Sequence, residues 1–213
     1  QLAEVFAEDW AFTTREVLDG DGWFAEPAAA GGTAARAIAS GPDEEIERIR
    51  WAILAALAQA RRQVRVVTPY FLPDRLLTTA LVMAAVRGVR VEILIPARNN
   101  LRLVQWASKA RLGGLLAAGC RIYQSPPPFD HAKIMTVDGA WLLIGSANWD
   151  ERSLRLNFEF NLECYDGELA DRLDRQIDAK LAAAEELTMA AIQGRSLAVK
   201  LRDAAAWLFS PYL

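Results

Sequence analysis

Apolar and polar positions change period several times along this chain of 213 residues, and each change marks an element. Residues 1–18 predict a helix with Val5, Phe6, Trp10 and Val17 among its apolar positions. Residues 19–42 carry Gly, Ala, Pro27 and Pro42, and predict a loop with one short strand around 35–39. Asp43, followed by Glu44, Glu45 and Glu47, has the chemistry of a helix cap and an acidic first turn. Ile46, Ile49, Ile53, Leu57 and Ala60 then recur at helical spacing and predict a core-facing stripe. VRVVTPYFL (64–72) is apolar and β-branched, which predicts a buried strand whose end Pro69 marks. Pro73 opens a helix over 74–87, Gly88 closes it, and 89–96 forms the next strand. Strand, helix and strand in that order predict a parallel pair with a right-handed crossover.

Further along, a helix is expected over 99–117, then a short strand, RIYQ, and the rigid lead-in SPPPF. KIMTV and WLLI predict two strands turned by Asp138-Gly139. In FEFNLECY (158–165) Phe158, Phe160, Leu162 and Cys164 take one face, and Glu159, Asn161, Glu163 and Tyr165 the other. A long helix over 168–190 carries Leu169, Leu173, Ile177 and Leu181 four apart. The tail, 191–213, combines Leu197, Leu201 and Leu208 with Arg195, Lys200, Arg202, Trp207 and Phe209. It predicts a basic amphipathic helix that either lies on an anionic membrane or docks on the rest of the domain.

Composition narrows this picture modestly. A hydrophobic share of 53% and a charged share of 24% belong to a globular chain long enough for a substantial core. The net charge of −3 supplies no global attraction to nucleic acid. Cys120 and Cys164 make no disulfide framework, and one histidine makes no zinc cluster, so neither cofactor nor metal is expected. No run of about eighteen apolar residues predicts a membrane span.

The chemistry concentrates between 131 and 159. His131, the only histidine, and Lys133 stand two apart, so an extended segment projects both to one side. Ser146 and Asn148, also two apart, follow the second strand of the predicted hairpin. Imidazole, ammonium, hydroxyl and amide together suit a phosphodiester: the histidine as nucleophile or proton carrier, the others as partners of the phosphoryl oxygens. Asp138 falls on the opposite side by strand parity, and a structural hydrogen-bonding role is expected of it. TPYFLPD and PARNN fall at the carboxyl ends of strands, where ligands gather in open α/β sheets. Tyr70 there touches substrate or packs in the core. Arg98 and Arg102, with Lys109 and Arg111, meet anionic head groups or form a solvated basic face.

HAKIMTVDGAWLLIGSAN resembles the HxK-x4-D-x6-GSxN signature of the phospholipase D superfamily. TPYFLPD, VQWASKA, IYQSPPPFDHAK and GSANWDERSLRLNFEFNLECYD are more closely similar to the second half of bacterial cardiolipin synthases. That resemblance implies one repeat half of an α/β/α sandwich with a mixed, mostly parallel sheet. It implies a lead-in over 1–42 from a missing first half, a catalytic half domain over 43–190, and the tail beyond. It makes His131, Lys133, Ser146, Asn148 and Glu159 catalytic, with Glu159 holding the histidine and raising its pKa. Asp138 and Gly145 belong to the signature as structural positions. The implied reaction transfers a phosphatidyl group from phosphatidylglycerol through a phosphohistidine, without metal, at a site completed by a second motif. That motif comes from the missing half or from a second copy of this chain. Peripheral contact with the cytoplasmic side of a bacterial inner membrane is implied for the parent protein, with this chain alone soluble. A homodimeric phosphodiesterase or nuclease, and a non-catalytic lipid-binding domain, are the other readings.

Overall fold

The structure, a computed structural model, describes residues 2–20, 22–24, 28, 30–42 and 46–213. Helix α1 (Leu2–Thr14) buries none of its residues and is shorter than the predicted 1–18. Strand β1 (Ala34–Ser40) matches the short strand expected around 35–39. Pro27 and the acidic cap expected at Asp43, Glu44 and Glu45 lie outside the described residues. Helix α2 (Arg48–Gln59) follows Glu47, which makes no side-chain cap. Ile49, Ile53, Leu57 and Ala60 are buried, whereas Ile46, ahead of the helix, stays exposed.

The apolar run at 64–72 is not one strand. It splits into β2 (Gln63–Val67) and β3 (Phe71–Leu72). Pro69 supplies no N–H to a ladder, so the chain leaves the sheet there. Asp74 then caps α3 (Arg75–Val86) by accepting from Leu77 N at 2.8 Å, and Gly88, at φ 90°, turns the chain out of it. Strand β4 (Arg90–Pro96), helix α4 (Arg102–Ala117) and strand β5 (Arg121–Ser125) follow. Strands β6 (Ile134–Val137) and β7 (Trp141–Gly145) form the expected hairpin. Next come β8 (Trp149–Asp150), α5 (Glu151–Arg155), β9 (Glu159–Tyr165) and α6 (Gly167–Ala182). The helix expected over 168–190 stops at Ala182. Glu185–Glu186 instead form β10 against β5, and Thr188 caps a separate α7 (Met189–Gln193). Ser196 caps α8 (Leu197–Trp207), and a 3-10 turn spans Ser210–Tyr212.

The main sheet has eight strands in the order β1-β9-β7-β6-β2-β4-β5-β10. It is mixed, as expected, but the expected predominance of parallel pairing is corrected: only β2–β4 and β4–β5 pair parallel. After β5 the chain returns through the hairpin at Asp138-Gly139, and short connections can only make antiparallel neighbours. One face carries the main core, with Ile49, Ile53 and Leu57 of α2 and Leu77 and Leu81 of α3 on Val64, Val66, Val91 and Ile93. The other face carries α6, whose Ile177 packs on Val67, Leu94 and Tyr123. Helices on both faces make an α/β/α sandwich. A small second sheet pairs β3 with β8, Phe71 opposite Trp149, and so ties the 69–72 segment to the chain just after Asn148.

Candidate active site

The hairpin positions the site. Gly145 N donates to Lys133 O at 3.3 Å, so Ser146 leaves β7 beside the residues that precede β6. Gly145 cannot carry a side chain: a Cβ there would lie 2.6 Å from Asn161 Cα and nearer still to two oxygens of β9. That close approach lets Asn161 Oδ1 accept from Ala147 N at 3.2 Å, which fixes the loop carrying Ser146 and Asn148. Asp138 lies at the far end of the hairpin at φ 55°, and its carboxylate accepts from Arg61, Arg62 and Gln63 N–H groups. Burial works against the charge, but those three donors hold the carboxyl below the ordinary aspartate range.

His131 and Lys133 meet. Lys133 Nζ is 3.1 Å from His131 Nδ1 and 3.2 Å from Nε2, and it donates to His131 O at 2.8 Å. An imidazole facing an ammonium is neutral and offers a lone pair. Burial and the Lys133 charge lower the His131 pKa from its ordinary value, against a smaller opposing pull from Asp130. Burial also lowers the Lys133 pKa, although Glu159, Asp150 and Asp130 all favour its charge. The lysine thus lies within electrostatic reach of carboxylates on three segments.

Glu159 departs from expectation. Its side chain is buried, but not against the histidine it was expected to hold. It accepts from Ser146 Oγ and from Asn157 Nδ2, the latter at 3.1 Å, and makes no hydrogen bond to His131. The raised histidine pKa expected from that carboxylate is therefore reversed, because burial and then the Lys133 charge both act against the protonated imidazole. Ser146 is further held by Phe160 N, which donates to its Oγ at 2.9 Å.

Asn148 is buried and only half paired. Its Nδ2 is 3.1 Å from Ser153 Oγ, and its Oδ1 has no partner. A half-turn of the amide would let Ser153 donate to Oδ1 and leave the NH2 unpaired instead. In either orientation one end of a buried amide waits for a group the chain does not supply. Asp150 stands behind Ser153, accepting from its N at 2.6 Å, and burial pushes the Asp150 carboxyl up to about 6. Sequence reasoning missed Asp150 and Ser153, although Asp-x-x-Ser is a helix-start spacing that could have pointed to them.

Aromatic rings edge the histidine. Tyr70 lies edge-on to His131 at 5.9 Å, its hydroxyl donating to Asn100 Oδ1 at 2.9 Å. Phe129, which sequence reasoning passed over as part of a lead-in, is 5.9 Å from the same imidazole. Phe71, by contrast, is core. Arg98 and Arg102 are exposed and have no partner among the described residues, and neither is brought to the imidazole. Arg111 instead stacks over Trp207. A cavity of about 580 Å³ adjoins Ser146 and Glu159, walled by Val5 and Phe12 of α1 and by Phe158 and Phe160. Among the described residues no group of His, Cys, Asp and Glu is arranged to hold a metal ion.

The family model described as "Cardiolipin synthase, PLD-like domain" matches residues 53–181. The chain belongs to the phospholipase D-like family. It is 35% identical over 208 residues to a cardiolipin synthase of Oceanobacillus iheyensis, covering 98% of this chain and 43% of that one. A cardiolipin synthase of Staphylococcus aureus is 35% identical over 210 residues, with 98% and 42% covered. The chain thus spans less than half the length of these curated relatives. Among solved structures, the phospholipase D family member Nuc of Salmonella typhimurium superposes with a TM-score of 0.63 at 21% identity, over 74% of this chain and 99% of that one. Phosphatidylserine synthase of Haemophilus influenzae gives 0.69 at 16% identity, over 85% and 48%. At such identities these two speak for the fold alone.

Proposed function

We propose that this chain is the second catalytic half of a cardiolipin synthase-like phosphatidyltransferase, acting on phosphatidylglycerol. Residues 43–190 form its catalytic half domain, and a partner half supplies a second histidine. One histidine attacks phosphorus, forming an N–P bond while the P–O bond to the leaving alcohol breaks; the other gives that alcohol its proton. The second histidine then takes a proton from the incoming alcohol, whose oxygen attacks the phosphohistidine and frees the first imidazole. Lys133 and Asn148 meet the phosphoryl oxygens. Ser146 and Glu159 brace one another beside them, and Asp138 and Gly145 serve the scaffold.

The observation that carries this reading is a histidine in contact with a lysine while a buried amide has an end unpartnered, in a chain with only one histidine. The neutral state of His131 suits attack or proton acceptance. To act first as the acid it must gain a proton, and a carboxylate from the completing half would favour that.

The test grafts this chain in place of the matching half of the Oceanobacillus relative and measures cardiolipin formed from phosphatidylglycerol vesicles. The graft should be active, and His131→Ala should lower its rate by about 10²–10⁴-fold. An unaffected rate would remove His131 from the chemistry. The covered length of Nuc favours one rival, since a single copy of this fold makes up that whole chain. Turnover by the ungrafted chain that needs His131 and rises with the square of its concentration would establish a site shared by two copies.

A further inference from the structure

The tail is two-faced. Its inner face docks on α4: Ala206 is buried beside Ala107 and Leu72, and Trp106 and Trp207 pack against that cluster. Asp203, the only acid in residues 194–213, is fully buried. Arg195 Nη1 donates to its Oδ2 at 2.6 Å and Arg202 Nη2 to its Oδ1 at 2.6 Å. Arg202 stacks over Trp106 at 4.4 Å, and Arg111 over Trp207 at 4.7 Å. These contacts set the rotation of α8 about its axis, so what faces outward is held there.

What faces outward is apolar. Leu197 is 72% exposed, Leu201 62%, Leu208 71%, Phe209 56% and Tyr212 76%. Leu197, Leu201 and Leu208 fall at i, i+4 and i+11, one stripe of a helix. Lys200 is the charge beside that stripe that has no acid partner; its Nζ donates to the Gln193 carbonyl at 2.7 Å. An exposed leucine stripe with aromatic residues at one end is a binding surface, not ordinary exterior. Its chemistry selects the occupant. The helix sequesters its one carboxylate and leaves cationic charge beside leucines, the pattern of a helix lying in an anionic lipid interface. The whole chain, by contrast, has a net charge of −3. The 3-10 turn beyond α8 packs against α5, the helix that follows Asn148.

We propose that the outward face of α8 and the 3-10 turn, Leu197, Leu201, Leu208, Phe209 and Tyr212 with Lys200, is a docking surface for an anionic lipid bilayer. The proposal deepens the phosphatidyltransferase reading by naming the surface that brings the chain to its lipid, and it is testable without turnover. The probe is a vesicle of equal parts phosphatidylglycerol and phosphatidylcholine, compared with pure phosphatidylcholine. Co-sedimentation of the full chain in its His131→Ala form separates docking from chemistry. The chain should bind the mixed vesicles, and Leu201→Glu with Leu208→Glu should weaken binding by tenfold or more. Lys200→Gln should weaken it about five-fold, because a basic residue near an anionic surface contributes about that factor. Both variants should keep the parental melting temperature, since the altered side chains touch no core.

Equal vesicle binding by the double variant overturns the proposal. So does equal binding to neutral and anionic vesicles. Self-association of the parent that the double variant abolishes, without vesicle binding, would assign the face to a second copy and overturn it too. Loss of catalysis in the graft with lipid binding intact would strike the phosphatidyltransferase reading alone.

Discussion

A single transverse row of the sheet contains two different interiors. Register places Ile122, Ile93, Val66, Met135 and Leu143 side by side, then Glu163 and Arg36. The first five are buried aliphatic side chains, interchangeable in kind and held by contact area. Glu163 is equally buried, yet every partner it has is specific: Trp141 Nε1 at 2.8 Å, Tyr165 Oη at 2.7 Å and Arg36 Nε at 2.8 Å. Two residues along the same strand Asn161 holds the loop of Ser146 and Asn148, and two further Glu159 holds Ser146. The central strands therefore supply stability, and the β7–β9 end converts some of it into fixed polar geometry. Buried polar groups are tolerable where each is matched; among the described residues Arg50 Nε, Ser108 Oγ and Asn148 Oδ1 are not, and the last of these lies beside the proposed site.

Changing the apolar half should have the largest effect on stability. Ile93→Ala removes fully buried methyl groups at the centre of the row and should cost about 2–5 kcal/mol in urea unfolding. A loss below about 1 kcal/mol would mean that the centre is not where stability resides.

At the polar end the sign should reverse. Burial holds the Asp150 carboxyl up to about 6 in the fold, whereas in the unfolded chain it titrates near about 3.9. Its contribution is present below the unfolded value and lost as pH rises through 6. Asp150→Asn keeps a capping side chain and should stabilise the protein by about 2 kcal/mol at pH 7, a gain that vanishes near pH 4. Unfolding midpoints across that range measure it, and a destabilised variant at pH 7 would mean that the charge itself is needed. The smallest effect concerns a single proton. As the only histidine, His131 gives one set of imidazole resonances, which should titrate below the ordinary 6.5. Lys133→Met removes the neighbouring ammonium and should move that midpoint upward; an unchanged midpoint would show that burial alone sets it.

Much of the fold was legible because its signals are local. Asp138-Gly139 turns a hairpin, Gly88 ends a helix, and Ile49, Ile53 and Leu57 repeat at the helical period wherever the helix comes to rest. Errors arose where a neighbour overrode the pattern. The apolar run at 64–72 looked continuous, but Pro69 cannot serve a ladder on both sides, and Phe71 found a partner in Trp149. The leucine period of α6 gave no warning that Glu185 and Glu186 would leave the helix to pair with β5. In β9 the alternation was correct, yet Glu159, Asn161 and Glu163 of the polar face proved buried while Tyr165 at its end is exposed, which periodicity cannot report.

The sequence by itself determined which chemical groups are available: one histidine, a lysine two residues on, a serine and an asparagine after the second strand, and a glycine between. Spacing along a hairpin determined that His131 and Lys133 would lie together. Only the tertiary structure decided what each group faces. Glu159 turns to Ser146 and not to the histidine, burial and a neighbouring cation lower the pKa of the imidazole, and α8 hides its acid while showing its leucines. Covalent order sets which groups are near in the chain; the charges, burial and hydrogen-bond partners that set their reactivity come from residues that packing alone brings close.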